Sequence, residues 1–337
     1  MRSSSNVSMP TTHSLVRACS CAAATLLTAL LLLACGSDNP TGPGGGGGQA
    51  THPTGTSFTK FTLQGGPNSV AVSATGKTLV TLLYGEALAR FPIDAPSAAP
   101  PTSDLAQVPW DVVVNRAETV AYVAVDGGIR IVNLASGSVT PVALGYNAWR
   151  LSLSADESRL FAVGSNGRVS SIPTSGGAPV TTTLPAELGG VRAAPSGGAV
   201  YVSSRLSRIW RLDPATLAIQ ATALIGGQGE SDLVLTANGN ELYVVFDEGS
   251  LFHVNPATLE LSASLAVAPG SARMAMTPDG AQLYLSSYFG TLTIVSRAAL
   301  SAVTTRDLGG TPHGIAFDKL GKTALITNEN DWVDVVK

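Results

Sequence analysis

Charge is scarce in this chain of 337 residues: Asp, Glu, Lys and Arg make up only 13% of it, against about 25% in an ordinary soluble domain. Ser, Thr, Gly and Asn must therefore cover most of its surface. The shortage, with 36 Gly and 20 Pro, argues against long solvent-exposed helices, which need Glu, Lys and Arg on their outer faces. No basic excess exists either. Lys and Arg number 20 against 23 Asp and Glu, a formal charge of −3, which leaves no electrostatic footprint for nucleic acid. Disorder is excluded by the 45% hydrophobic content. What remains is a Gly-rich, all-β protein with a packed core.

Cysteine and histidine are as sparse, at three and four residues. Cys19 and Cys21 precede an apolar run from Ala22 to Ala34, and Arg2 and Arg17 are the only charged residues before it. The run is too short for a mature membrane-spanning helix but suits the apolar region of an export signal. It ends in Leu32-Leu33-Ala34-Cys35, which resembles the lipobox of bacterial lipoproteins. That resemblance implies diacylglycerol on the Cys35 thiol, cleavage before Cys35 and acylation of the new amine. An ordinary secreted protein, or a core helix holding Cys35, fits less well, because Gly36-Ser37-Asp38-Asn39-Pro40 and then Gly44 to Gly48 follow at once. Gly36 stands where the family places Asp for inner-membrane retention, so the expected site is the outer membrane, facing the periplasm or the exterior. The expected division is a signal at 1–34, a lipidated, flexible tether at 35–57 and a folded domain at 58–337. The mature chain would keep a single, lipidated cysteine and carry 18 − 23 = −5, since Arg2 and Arg17 leave with the signal.

Repetition decides the fold. An alternating strand, a turn and a second strand recur, as in Val70-Ala71-Val72-Ser73-Ala74-Thr75-Gly76 and Met274-Ala275-Met276-Thr277-Pro278-Asp279-Gly280. The equivalent turn positions are Gly76, Glu118, Glu157, Gly197, Gly239, Gly280 and Gly321, spaced 42, 39, 40, 42, 41 and 41 apart. A second turn keeps the same beat near Asp94, Asn133, Pro173, Asp213, Asn255 and Ser296. Each unit holds four short strands, in the sixth near 271–276, 281–286, 290–296 and 301–307. Residues 58 to 337 number 280, seven times 40. Four strands at this period mean a seven-bladed β-propeller of antiparallel blades. The last unit supplies only three strands before Lys337, and Phe58 to Gly66 matches the missing one, Val303 to Gly310. The N-terminal strand is thus expected to close the ring and remove its open edge.

Thr277-Pro278-Asp279-Gly280, Leu242-Tyr243-Val244-Val245, Val200-Tyr201-Val202-Ser203 and Thr311-Pro312-His313-Gly314 resemble the YVTN-type propeller repeat of bacterial and archaeal envelope proteins. The likeness covers all seven units, although the first and third depart from the consensus turn. It implies the fold; function on such scaffolds ranges from binding to sensing and, occasionally, catalysis.

The first residues of each inner strand should ring the central channel: Asn68 and Ser69, Trp110 and Asp111, Trp149 and Arg150, Gly189 and Gly190, Ser231 and Asp232, Ala272 and Arg273, His313 and Gly314. Asp111 with Arg150, and Asp232 with Arg273, lie on neighbouring blades and suggest two ion pairs, with tryptophans plugging the mouth. The same residues also suit a polar, aromatic-flanked ligand pocket. Loops between second and third strands should open on this face, bringing Tyr84, Glu86, Asp126, Asp247, Glu248, Tyr288, Phe289, Asn328, Glu329, Asp331 and Trp332. Exposed aromatics beside acids can grip a partner, or the acids can simply keep the loops solvated.

Chemistry is thinly supported. His13 lies in the signal, His52 in the tether and His253 in a third strand, so only His313 reaches the channel and no histidine metal cluster forms. Some lactone-hydrolysing propellers hold calcium at the channel top, but this ring offers Asn68, Asp111 and Asp232 without a glutamate, and Arg150 and Arg273 repel a cation. Ser231, His313 and Asp232 lack a nucleophile-elbow phrase. The expectation is a monomeric, non-catalytic binding scaffold without metal or cofactor. It would seat a protein, peptide or glycan on the channel face through Trp110, Asp111, Trp149, Arg150, Asp232, Arg273, Tyr288, His313 and Trp332. A lactonase-type hydrolase in the channel, and a structural envelope component without ligand, are the alternatives.

Overall fold

The computed structural model describes residues 51–337. The expected signal segment, Cys35 and the Gly-rich run up to residue 50 lie outside the described residues. Seven four-stranded antiparallel sheets follow one another, and their innermost strands contact in sequence around a closed ring. These inner strands are Pro67–Val72, Pro109–Val114, Ala148–Leu153, Leu188–Ala193, Ser231–Leu235, Ser271–Met276 and Pro312–Phe317. The sixth blade continues with Gln282–Ser287, Thr291–Ser296 and Ser301–Asp307, each within a residue of its expected bounds. The architecture is a seven-bladed β-propeller.

Closure is as the pattern implies. Phe58–Thr62 pairs antiparallel with Trp332–Val336, in register Phe58 to Val336 and Thr62 to Trp332, and becomes the outer strand of the last blade. Phe61 meets Phe91 of the first blade edge to face at 5.5 Å, and Leu63 is buried with Val70, Leu82 and Val333. Asp331 ties the crossover, since its Oδ1 accepts the backbone N–H of Gly65 and Gly66 at 2.9 and 3.0 Å. That acid serves the fold rather than a solvated loop.

Seven apolar clusters hold the ring, one at each blade interface. Fully burying one Leu, Val or Phe contributes roughly 1.5–3 kcal/mol, so each interface is an indispensable part of the core. On the face where first and second strands turn, Gly76, Glu118, Glu157, Gly197, Gly239, Gly280 and Gly321 all have left-handed φ, between 56° and 83°. The two glutamates accept this backbone because their side chains latch the preceding blade. Glu118 Oε1 accepts the Thr75 N–H at 2.8 Å, and Glu157 Oε1 accepts the Arg116 N–H at 2.6 Å.

The expected tether ends earlier than residue 57. Thr51 N–H donates to Leu320 O at 2.8 Å, Thr56 N–H to Lys337 O at 3.1 Å, and His52 Nδ1 lies 2.7 Å from Asp279 Oδ2. Residues 51–57 are thus strapped onto this turn face, opposite the mouth from which the inner strands start. A coil reading from composition misses this because the strap's partners, Leu320, Lys337 and Asp279, lie far along the sequence.

Candidate functional site at the channel mouth

At the other face the inner strands begin, and six of the seven carry a register shift within their pairing to the second strand. Such bulges re-aim side chains, here toward the channel mouth. Glycine sets the packing at one point: a Cβ on Gly189 would lie 1.9 Å from Ser231 Oγ, so blade four abuts blade five there and leaves space over the channel. The result is a cavity of about 340 Å³, walled by Trp110, Trp149, Arg150, Arg205, Glu230, Arg273, His313, Glu329 and Asn68.

Two expected ion pairs are corrected. Asp111 does not meet Arg150: its Oδ1 accepts Ser69 Oγ–H at 2.8 Å and its own neighbour Val112 N–H at 2.9 Å, while Oδ2 accepts Leu151 N–H from the next blade. Asp232 does not meet Arg273 but repeats the same arrangement, with Oδ1 on Leu233 N–H at 2.8 Å and Oδ2 on Met274 N–H at 3.1 Å. Both carboxylates stitch successive inner strands together, because backbone donors left open between blades outcompete more distant guanidinium groups. Arg192 is the cation nearest Asp232, at 3.7 Å.

The expectation of a ring without glutamate is corrected too. Glu230 Oε1 takes Arg150 Nη2 at 2.8 Å and Arg273 Nη1 at 2.9 Å. Glu329 Oε1 takes Asn68 Nδ2–H at 2.7 Å and lies 3.0 Å from His313 Nε2. Burial pushes the Glu329 carboxyl up, but hydrogen bonds from His313 and Asn68, with the histidine's charge, outweigh it and hold the group below its ordinary value. Ser231 Oγ donates to Ser203 Oγ at 2.9 Å and His313 faces Glu329, so Ser231, His313 and Asp232 do not converge. Among the described residues, no three His, Cys, Asp or Glu side chains gather as metal ligands would.

Tyr288 and Trp332 stand apart from the cavity wall. Tyr288 O–H donates to Asp247 Oδ2 at 3.1 Å; burial, then the Asp247 and Glu230 carboxylates, push its phenol above the ordinary value. Trp332 sits in the closing blade, its Nε1–H on Asp334 Oδ2 at 2.9 Å and Lys60 Nζ over its ring at 4.3 Å. It begins the strand Trp332–Val336 that pairs with the closing strand, outside the cavity wall. Trp110 stays at the mouth, anchored by its Nε1–H to Asp126 Oδ1 at 2.8 Å.

Sequence reading missed Arg205 and Glu230. Arg205 is found by counting: the residues that follow the second strands are Leu83, Asp126, Ser165, Arg205, Asp247, Tyr288 and Glu329. Each donates its backbone N–H to a carbonyl just before its blade's inner strand. Glu230 owns that carbonyl in blade five, one residue outside the aligned ring.

Fold and site define a seven-bladed propeller with a polar, aromatic-walled channel mouth. Among the solved structures it resembles is the β-propeller domain of Cps50 (Swd1) from Myceliophteria thermophila, with a TM-score of 0.71 at 14% identity, covering 82% of this chain and 99% of that one. At that identity the likeness carries the fold alone. No protein-family model and no curated protein matches the chain.

Proposed function

We propose that this protein is an envelope lipoprotein, anchored through Cys35 in the outer membrane, whose YVTN-type propeller binds a protein, peptide or glycan at its channel mouth. The observation that carries the reading is the mouth's composition. The turn face repeats one solution in all seven blades, whereas the mouth varies its side chains around the ring and encloses a cavity walled by Trp110 and Trp149. Tryptophan buries large area at low entropic cost and recurs where partners bind. The strap at 51–57 lies on the turn face and leaves the mouth uncovered by this segment.

A lactonase-type reading finds less support in the donor set. Glu230 is held by two guanidinium groups and Glu329 by Asn68 and His313, so neither carboxylate is free for a cation.

The test is cross-linking capture from solubilised envelope with the full chain and a Trp110→Ala/Trp149→Ala variant as parallel baits. A partner taken by the first and lost by the second supports a mouth-bound partner. Equal capture by both moves the site to the blade sides or turn face and overturns the reading.

A further inference from the structure

One cation at the channel mouth has no acid beside it among the described residues. Arg150 and Arg273 share a single oxygen of Glu230, and Glu329 is turned to Asn68 and His313. Arg205 has no acid within ion-pair distance among the described residues; its guanidinium lies over the Trp149 ring at 5.3 Å. Of the three arginines that wall the cavity, Arg205 is thus the one without an acid partner. Hydrogen bonding is incomplete in the same place. The Nε groups of Arg150 and Arg205 and the Oδ1 of Asn68 are buried without a partner. The Arg150 side chain is only 7% exposed, so bulk water does not reach it. Buried polar groups and charges are normally paired. Three unmet groups around one cavity therefore match an anion at the arginines and a hydrogen-bond donor at Asn68.

We propose that the mouth binds a hydroxylated monocarboxylate, of the sugar-acid class, with the carboxylate at Arg205 and Arg150 and a hydroxyl donating to Asn68 Oδ1. This rests on the channel-mouth reading above and names its ligand chemistry. A carboxylate gives the Arg205 guanidinium the acid partner it lacks, in the planar geometry that suits it, whereas a neutral sugar would leave it without one. The volume of about 340 Å³ lies at the small end of ligand sites and suits one ring, with the tryptophan walls available to its apolar face. The group reaches the site either as a free acid or as the terminal residue of an acidic glycan.

The experiment is calorimetric titration of the full chain with glucuronate, with glucose as the neutral counterpart and oligogalacturonate as the chain-borne form. Saturable glucuronate binding, absent with glucose and weakened at least tenfold in Arg205→Gln, is expected. Arg205→Lys, which keeps the charge without the planar fork, should fall between. Arg205 makes no side-chain hydrogen bond that holds the fold, so both variants should melt with the parent. An oligomer bound more tightly than the monomer assigns the carboxylate to a glycan end; equal affinity assigns it to a free acid. Glucuronate bound no better than glucose, or equally by Arg205→Gln, overturns the proposal. If partner capture still depends on Trp110 and Trp149 in that case, the ligand class fails while the mouth reading stands.

Discussion

The two faces of the ring use the same backbone to opposite ends. On the turn face, Gly76, Glu118, Glu157, Gly197, Gly239, Gly280 and Gly321 each donate an N–H to the carbonyl three residues earlier, and all share one left-handed conformation. On the mouth face, the residue after each second strand also makes one repeated backbone bond, but its side chain changes from Leu to Asp, Ser, Arg, Asp, Tyr and Glu around the ring. Where a side chain repeats with the blades, its work is to build blades. Where only the backbone repeats, the side chain is free to serve something else.

The sharpest way to break this comparison is to remove the structural class altogether. Deleting residues 58–64 strips the outer strand from the last blade and takes Phe61 and Leu63 out of the core. At roughly 1.5–3 kcal/mol per buried apolar side chain, with a whole strand ladder lost, the deletion approaches the 5–15 kcal/mol that holds a typical domain. Circular dichroism melting should show no cooperative transition near that of the parent.

Next in size is Asp232→Ala. It leaves the Leu233 and Met274 N–H groups unpaired between blades five and six, at a cost of about 2–6 kcal/mol from two buried donors at roughly 1–3 kcal/mol each. Denaturant unfolding should read that loss even though Asp232 sits at the edge of the channel ring.

Asp334→Asn is smaller and opposite in sign. Burial pushes the Asp334 carboxyl up to about 6, against hydrogen bonds from Trp332 and Asn328 and the charge of Lys60. The folded protein therefore holds a proton that the unfolded chain, near 3.8, has released. This contribution is fully present below about pH 4, falls as pH rises to about 6 and stays lost above. The asparagine variant should be more stable than the parent at pH 7, and the gap should close as melting is repeated toward pH 4.

The fold was legible because it is written many times. Seven turn residues at a period near 41 named the blades, and Phe58 to Gly66 matching Val303 to Gly310 named the closure. The site was legible only in outline. Trp110, Trp149, Arg150, Arg273 and His313 could be placed at the mouth by counting from the inner strands. Their partners could not, because Glu230 lies just before its strand and Arg205 just after another, and because a residue's position around the ring does not say which neighbour its side chain selects. Asp111 and Asp232 show the cost: opposite charges on adjacent blades suggested ion pairs, and nearby backbone N–H groups took the carboxylates instead.

The most direct measurement reads both kinds of region at once. The chain has four tryptophans: Trp110 and Trp149 wall the mouth, Trp210 is buried in the core between blades three and four, and Trp332 belongs to the closing blade. Their indole N–H signals, assigned by single replacement in a nitrogen-labelled full chain, should divide on titration with glucuronate. Trp149, beneath Arg205, should shift most and Trp110 with it, while Trp210 and Trp332 hold still. Shifts confined to Trp332 or Trp210, or a silent Trp149 at saturating ligand, would contradict a mouth built for binding.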